Sequence, residues 1–316
     1  MRTVDIHIEH IAHTKINPEA VERWLTRLGV SEEFRAYYIP EACQDCEAST
    51  EDIASDPALL IAIAAKRCYI AFEPGLNPNV TKVRTELVEY IDNILKSGHG
   101  SVLEHATHSF AIEGVSRVFT GEMNRHRAGV AISEASMRFI RYADIPMWVP
   151  TSLQITEAEM ALLEGEAEEE DCGIEFLDGS AIGPLSPELQ IALKKYRTMK
   201  EVFEPVFKFV EEKYAIGQRI WKDELAPDSK FAGKKHVTSM LRRIIPMGVA
   251  TGAVYTLNLR ALRHVLALRS TEHAEEEILH VAGRMLEMMV AAEPILFKDF
   301  APVPGTPFWK AGYNKV

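Results

Sequence analysis

Arginine and histidine side chains gather in one short stretch near the middle of the chain. It begins with Arg125-His126-Arg127, passes through Gly-Val-Ala-Ile, and ends with Glu134-Ala135-Ser136-Met137-Arg138-Phe139. An amphipathic helix does not need so many fixed positive charges beside small apolar residues. Guanidinium groups bind phosphate oxygens in pairs and stack on flat rings. The stretch therefore predicts a site for a phosphorylated, planar molecule.

Three further segments have side chains of the same chemistry. They are Gly98-His99-Gly100-Ser101 with Glu104-His105, then Arg242-Arg243, and then the run from Asn258 to His273. In the last of these, Arg260 and His264 stand four residues apart and so share one face of a helix. One arginine or histidine alone is usually a surface charge or a hydrogen-bonded core residue, but several gathered together indicate a binding site.

The bulk composition limits what this site can bind. The chain has 316 residues, of which 47% are hydrophobic and 26% charged, and its formal net charge is −11. Such a chain can bury a sizeable core. The acidic balance argues against a nucleic-acid or anionic-membrane partner, because surfaces for those partners are basic. Local arginine clusters in an acidic chain favour a small-molecule pocket.

Cysteine usage and hydropathy predict the compartment. Cys43 and Cys46 form a Cys-x-x-Cys pair without the second half of a zinc site, so we predict no metal centre. Cys68 and Cys172 stand alone. The chain shows no signal-peptide pattern and no apolar run of about 18 residues. A reducing, cytoplasmic location is therefore the expectation.

Helical patterns supply most of the elements that would position these residues. Start signals and apolar spacing predict helices over 18–29, 56–68, 81–96, 116–125, 186–215, 237–243, 257–269 and 272–290. Residues 106–112 predict a strand, 139–149 an extended segment, and the tail from Pro302 an irregular one. Apolar residues of the long helix, from Leu189 to Phe209 but without Phe207, should face inward. Ser270 or Thr271 should cap the last helix.

Some familiar motifs are absent from the sequence. It has neither a Gly-x-Gly-x-x-Gly motif after a strand nor a Walker loop nor a Gly-x-Ser-x-Gly elbow. A nicotinamide-binding Rossmann domain is therefore not indicated. The acidic run over 156–172 predicts a solvated helix face and loop.

The four segments, in this order, resemble the flavin-dependent thymidylate synthase family. The resemblance rests on Gly98–His105, on Arg125 to Phe139, and on Asn258-x-Arg260 followed by Leu268-Arg269 and His273. Lys66-Arg67-Cys68-Tyr69 also resembles the family's first turn, with Cys68 where a small polar residue is usual. The similarity covers about residues 57–150 and 236–295.

The resemblance implies a fold and an activity. The fold would be α+β, a single catalytic domain over 1–316 with helices around a central antiparallel sheet, an N-terminal extension at 1–56 and an acidic insertion at about 151–190. The reaction would methylate C5 of the uracil ring of dUMP to give dTMP. It would use 5,10-methylenetetrahydrofolate as carbon source, FAD as cofactor and NADPH as reductant. Family members are homotetramers whose active sites combine several chains.

The resemblance also assigns residue roles. FAD contacts would be Cys68, Ser101, Glu104, Arg125, His126, Arg127, Asn258, Arg260, His264 and His273. Nucleotide contacts would be Glu122, Arg125, Glu134, Ala135, Ser136, Met137, Arg138, Arg242 and Arg269. Catalytic groups would be Arg269, His99 and Ser136. Arg269 would stabilise charge developing on the ring's carbonyl oxygens, by roughly 3–4 kcal/mol, and Ser136 would be a nucleophile only with a base beside it.

Three departures from the family pattern leave the nucleotide open. Eight residues, Ala128 to Ala135, separate Arg-His-Arg from Ser136 where seven are usual, and Ser133 replaces the usual Asn. Glu122 stands where Gln is usual and would repel a phosphate, so it either faces away or contacts a hydroxyl. His264 stands where Asn is common. A longer loop with an extra acceptor near the sugar suggests UMP as an alternative substrate, whereas a neutral bulge would leave dUMP.

Two other classes of function stay open at this stage. The same arginines and histidines would suit a flavin- and nucleotide-binding protein without methylase activity. An RNA-acting flavoenzyme is disfavoured by the net charge of −11.

Overall fold

The computed structural model describes residues 2–39, 55–169 and 186–313, which contain both helices and strands. The helices are α1 Pro18–Arg27, α2 Glu32–Arg35, α3 Asp56–Arg67, α4 Leu87–Lys96, α5 Arg117–Met123, α6 Glu157–Glu169, α7 Pro187–Arg197, α8 Glu204–Ile220, α9 Phe231–Leu241, α10 Leu259–Arg269, α11 Glu276–Ala292 and α12 Pro294–Phe297. The strands are β1 Arg2–Thr3, β2 His7–His13, β3 Thr107–Ser116, β4 Val130–Glu134, β5 Pro146–Met147, β6 Ala250–Asn258, β7 Phe300–Pro302 and β8 Trp309–Ala311. The expected mixture of helix and sheet is confirmed. Cys43, Cys46 and Cys172 lie outside the described residues.

Local signals explain the first helix boundaries. The Asn17 side chain caps α1 by accepting a hydrogen bond from Ala20 N at 3.1 Å, and Gly29 turns the chain after it with φ +81°. Ser55 caps α3 by accepting from Ala58 N at 3.2 Å. The predicted starts at Pro18 and Asp56 are confirmed, because small polar caps and first-turn prolines act over a few residues.

Four strands pair in the order β2-β3-β6-β4. Phe110, Ile112, Tyr255 and Leu257 of β3 and β6 are fully buried. β1 pairs with β5 in parallel, and β7 pairs antiparallel with β8. The predicted strand near 106–112 is confirmed and extends to Ser116. The antiparallel arrangement of the four-stranded sheet stays a prediction.

Three helix starts differ from the sequence-based expectation, and one of them is that of α9, which begins at Phe231 rather than at residue 237. Residues 81–86 are not helical, and α4 begins at Leu87, since Thr81, Val83 and Thr85 are β-branched and favour extended backbone. The last long helix begins after Glu275, whose carboxylate accepts from Glu277 N at 2.9 Å. Neither Ser270 nor Thr271 is its cap.

Three of the longer strands were not expected from the sequence, because their side chains do not alternate clearly between apolar and polar residues. β2 is rich in histidine, β4 lies in the expected loop before Ser136, and β6 has the apolar Val254 at its exposed position. The tail also differs, since β7 and β8 pair there. In the segment over 139–149, only Pro146–Met147 is a strand.

The predicted long helix runs from Pro187 to Ile220, with a π-helical turn at Thr198–Phe203 between α7 and α8. Leu189 and Leu193 are buried as expected, and Phe207 is buried although it was not predicted to face inward. Ile191, Val202, Val206 and Phe209 are instead at least 50% exposed. The π turn adds a residue and rotates the side chains that follow it, among them Val206 and Phe209, away from the regular helical pattern. Ile191 precedes this turn, and its exposure has no such cause. Among the described residues, no helix is both long and apolar enough to cross a membrane.

The chain divides into two compact units. The first contains the described residues of 1–6, 113–120 and 134–252. Its main core gathers Met137, Ile145, Met147, Phe207 and Val249. The second contains the described residues of 7–112, 121–133 and 253–316. One of its clusters gathers Leu25, Val30, Tyr38, Ile63 and Phe72.

Candidate functional site

Arg269 ends helix α10 in the second unit, and two side chains hold its guanidinium group. Nη1 donates to Glu122 Oε2 at 2.9 Å, and Nε donates to His126 Nε2 at 3.2 Å. The Arg269 and Glu122 side chains are 20% and 31% exposed. Ser270 leaves the helical conformation with ψ 20° and so ends α10. A cation is favoured at this end of a helix, because the last carbonyl groups carry partial negative charge.

Burial sets the protonation states around this pair. Burial first, and then the positive charge of Arg269, lowers the pKa of His126. The imidazole is therefore neutral near pH 7, and Nε2 accepts from Arg269. Burial, and then the negative charges of Glu276 and Glu122, raises the pKa of Glu275. Arg269 is thus a cation set among carboxylates and a neutral ring.

Gly129 and Asn258 fix the turn that follows Arg127. Gly129 has φ +71°, and a Cβ there would lie 2.4 Å from Asn258 Nδ2. Asn258 N donates to Gly129 O at 2.8 Å, while Asn258 Oδ1 caps α10 by accepting from Ala261 N at 2.8 Å. Asn258 therefore caps the helix that ends at Arg269, and it also fixes the turn after the Arg-His-Arg run.

A cavity of about 740 Å³ lies in the second unit beside the turn at 98–101. Four predicted site residues line it: Cys68, His99, Ser101 and Arg260. Apolar and aromatic side chains complete the walls, among them Tyr69, Tyr90, Ile94 and Val102. Cofactor pockets have this size and this mixture of apolar walls with a few polar groups. The cavity therefore suits a ligand of cofactor size.

Arg260 packs against Gly100 at the edge of this cavity. A Cβ on Gly100 would lie 2.9 Å from Arg260 Nε, so the Arg260 side chain would have to shift if another residue replaced Gly100. Nη1 donates to Glu104 Oε1 at 2.7 Å. Both side chains of the pair are about half exposed, at 49% and 48%, so the pair stays accessible to a ligand.

The predicted nucleotide residues 134–138 lie in the first unit. Arg117 Nη1 donates to Glu134 Oε1, and Arg117 Nη2 donates to Ala135 O at 3.4 Å. The Arg117 and Glu134 side chains are 20% and 15% exposed. The Met137 side chain packs in the core. Arg117 therefore anchors the end of β4, where the predicted nucleotide segment begins.

The chain turns after Ser136. Ser136 Oγ accepts from Arg138 N at 3.4 Å, and Ser136 O accepts from Phe139 N at 2.9 Å. Among the described residues of this unit, no histidine or carboxylate is hydrogen-bonded to Ser136 Oγ, so the base that a nucleophilic serine needs is not found there. The Arg138 guanidinium lies 5.6 Å from the centre of the Phe139 ring, and Phe139 stacks on Phe231. Arg242, half-buried, opens the short 3₁₀ turn after α9.

The model of the Thy1 family, thymidylate synthase complementing protein, matches residues 50–295. The chain belongs to this family. A flavin-dependent thymidylate synthase of Mycobacterium sp. (strain JLS) is 29% identical over 80% of this chain and 84% of its own length. The enzyme of the same name from Mycobacterium tuberculosis (strain ATCC 25177 / H37Ra) is 30% identical over 79% and 82%. The resemblance seen in the motifs is confirmed.

A solved structure shows the same fold as this Thy1 chain. It is the UMP/dUMP methylase PolB from Streptomyces cacaoi bound with 5-Br dUMP. The TM-score is 0.52 at 18% sequence identity, and the match covers 94% of this chain and 96% of the other.

The structure gathers some of the predicted site residues of this Thy1 chain into two groups and leaves others exposed. The second unit brings Glu122, His126 and Arg269 into one cluster, and Cys68, His99, Ser101 and Arg260 around one cavity. Arg125, Arg127 and His264 are exposed. His273 lies beyond the end of α10, with its side chain 87% exposed. The expected break between Arg269 and His273 is confirmed.

Two residues with a place in these sites were not found from the sequence. Arg117 holds Glu134, and Lys66 lines the cavity with its side chain almost fully buried. In the sequence, Lys66 looks like a cation that favours the last turn of a helix. The only sequence signal for a role of Arg117 is that it directly follows a buried strand.

Proposed function

We propose that this chain catalyses flavin-dependent methylation of C5 of the uracil ring, converting dUMP to dTMP. The observation that carries the proposal is the Thy1 family match over 50–295, which spans every candidate site residue from Cys68 to His273. The curated relatives named flavin-dependent thymidylate synthase support the same activity. We assign NADPH as the reductant and 5,10-methylenetetrahydrofolate as the carbon source.

The residues around the cavity fit a flavin. A cavity of about 740 Å³ with aromatic walls is large enough for a flavin ring system. Ser101 and Arg260 would hold FAD through hydrogen bonds and charge, with Cys68 and His99 beside it. The Arg-His-Arg run and Asn258 would complete the contacts. When bound, FAD supplies the redox chemistry of the reaction.

The chain's own residues would bind and polarise the nucleotide. Uracil C5 is a poor nucleophile until negative charge develops on the ring's carbonyl oxygens. Arg269 at that edge would stabilise this charge, and one well-placed donor contributes roughly 3–4 kcal/mol. Arg138 and Arg242 would bind the phosphate and so orient the ring, which lowers the barrier by fixing a reactive geometry.

UMP is the second candidate substrate. The solved structure with the same fold is that of a UMP/dUMP methylase, also known bound with 5-Br UMP. The segment between Arg-His-Arg and Ser136 has one residue more than the family pattern. This extra residue is the reason to test whether the site of this chain accepts the sugar of UMP. The product from UMP would be a 5-methyluridine nucleotide.

A substrate comparison tests the proposal. Purified chain is incubated with FAD, NADPH and methylenetetrahydrofolate, with dUMP and UMP offered separately, and the methylated nucleotide is measured by mass spectrometry. We expect a product 14 mass units heavier than the substrate, roughly the mass of one CH₂ group, and a loss of about 10²-fold or more in kcat for Arg269→Ala. Turnover of dUMP alone would exclude UMP as a substrate. FAD and nucleotide binding without any methylated product would identify a binding protein instead.

The assembly and its surroundings complete the proposal. We assign a homotetramer with shared active sites and a cytoplasmic location. The acidic net charge of −11 supports small-molecule substrates rather than a nucleic-acid partner.

A further inference from the structure

Two of the three guanidinium nitrogens of Arg269 are occupied within the protein. Nη1 donates to Glu122 Oε2 at 2.9 Å, and Nε donates to His126 Nε2 at 3.2 Å. Among the described residues, Nη2 has no hydrogen-bond acceptor. The guanidinium group is planar and rigid, so two fixed nitrogens fix its plane. Nη1 keeps one N–H group, and Nη2 keeps both of its N–H groups to donate to a ligand.

The surroundings also determine which ligand atom suits Nη2. The groups in contact with Arg269 are the Glu122 carboxylate and the neutral His126 ring, and the negative charge of Glu122 also acts on Glu275. A phosphate placed here would meet the negative charge of Glu122 and would be repelled. A neutral carbonyl oxygen would not be repelled, and it gains from Nη2 as negative charge develops on it.

We infer that Glu122 is a positioning residue, which holds Arg269 so that Nη2 faces a carbonyl oxygen of the uracil ring rather than the phosphate. The inference rests on the proposed function, since it assigns the atom that polarises the ring. It also accounts for how a site for an anionic nucleotide tolerates a carboxylate. The carboxylate contacts the arginine and acts on the substrate only through it.

A series of substitutions at residue 122 separates position from charge. In Glu122→Gln the amide oxygen still accepts from Nη1 at the same length, so kcat should stay within about 3-fold of wild type. In Glu122→Asp the charge remains, but the side chain is one carbon–carbon bond, about 1.5 Å, shorter. A displacement of that size should lower kcat by about 10²-fold, with KM changed by less than about 3-fold, because the loss falls on the transition state.

Two further measurements support this series. Calorimetric titration with dUMP should give a dissociation constant within about 3-fold of wild type for both variants. A crystal structure of Glu122→Asp should show Arg269 turned away from His126. Glu19→Gln is the matched control, because Glu19 also pairs with an arginine, Arg23, and both side chains are exposed. It should leave kcat and KM unchanged.

Three results would overturn the inference. Wild-type kcat in Glu122→Asp would show that the position of the carboxylate does not matter. A loss in Glu122→Gln with none in Glu122→Asp would show that charge is what matters. A rise in KM for UMP but not for dUMP in these variants would show that Glu122 contacts a sugar hydroxyl. Failure of the proposed function looks different, since the wild-type protein itself would then form no methylated nucleotide.

Discussion

Lys66 shows how burial in the cavity wall changes the pKa of a single side chain. The side chain is almost fully buried, its Nζ donates to Arg84 O at 2.6 Å, and it lies 4.7 Å from the centre of the Tyr90 ring. Burial penalises the charged ammonium. Burial first, and then the positive charge of Arg84, lowers the pKa of Lys66 to about 8. The lysine is therefore a cation near neutral pH that loses its proton under mildly alkaline conditions.

Replacing Lys66 should change how stability depends on pH. The folded-state pKa of about 8 lies below the unfolded value of about 10.4, so the folded chain releases this proton first. The free energy of unfolding of wild type should therefore rise between about pH 8 and about pH 10, and Lys66→Met should lack this part of the rise. Denaturant titrations across the range measure it.

The control for this comparison is Lys213→Met, which removes a lysine whose side chain is 43% exposed. It should keep the wild-type slope. The window ends near pH 10 because burial raises the pKa of Tyr90 to about 12, and a tyrosine that keeps its proton in the folded state lowers stability at higher pH. Equal slopes for wild type and Lys66→Met would contradict the assigned pKa.

At the residue scale, the sequence shows which chemical groups are present better than it shows which of them contact each other. Arg125 to Arg138 could be recognised because their types and order are unusual in one short stretch. The pair of Arg269 and Glu122 could not, since 147 residues separate the two in the chain. Lys66 and Arg117 resembled ordinary helix-end and surface cations, and only the fold shows what they contact.

Among the elements, the junction of the Arg-His-Arg turn with α10 depends on a glycine. Gly129 combines φ +71° with close contact to the Asn258 side chain. An L-residue in this conformation is strained, and here its Cβ would also push against the residue that caps α10. Backbone strain and steric contact thus act at the same position.

A pair of glycine substitutions separates these two effects. Gly305 has φ +74° but has no atom within 4 Å of a Cβ built there, so Gly305→Ala should cost only the strain, about 1–2 kcal/mol. Gly129→Ala should cost at least about 1 kcal/mol more, because Asn258 must move and the cap of α10 weakens. Urea unfolding measures both. Equal losses would show that the Asn258 contact has no energetic weight.

The elements themselves were predictable where their signals are local. The starts of α1 and α3 follow from a cap and a proline within a few residues. β6 was not predictable, because the apolar Val254 is on its exposed side and the sequence therefore does not alternate between apolar and polar residues. The cap of α11 was missed because the Glu275 carboxylate, rather than the nearby hydroxyl of Ser270 or Thr271, reaches the free N–H groups.

For the molecule as a whole, composition and motif order were informative about class, but not about boundaries between compact units. A net charge of −11 together with clustered arginines favours a small anionic ligand over a polyanion. The two units each draw on separated parts of the chain, and such a division depends on long-range contacts. The single-domain organisation inferred from the family resemblance stays a prediction.

Apolar side chains exposed on one helical run lead to a prediction about assembly. Val202, Val206 and Phe209 follow a helical spacing and are 54%, 50% and 59% exposed. Contiguous exposed apolar surface on a globular protein commonly marks an interface, and the Thy1 resemblance implies a homotetramer. We expect these side chains to be covered by another copy of the chain.

Light scattering on purified protein tests this expectation at the scale of the assembly. Wild type should have the mass of four 35.5 kDa chains, and Phe209→Glu should give a smaller species, because a charge in an apolar interface loses its hydration without gaining a partner. Lys208→Gln, which changes the charge by the same amount on the neighbouring exposed residue, should keep the wild-type mass. If Phe209→Glu also keeps that mass, a different surface holds the copies together, and the exposed stripe needs another explanation.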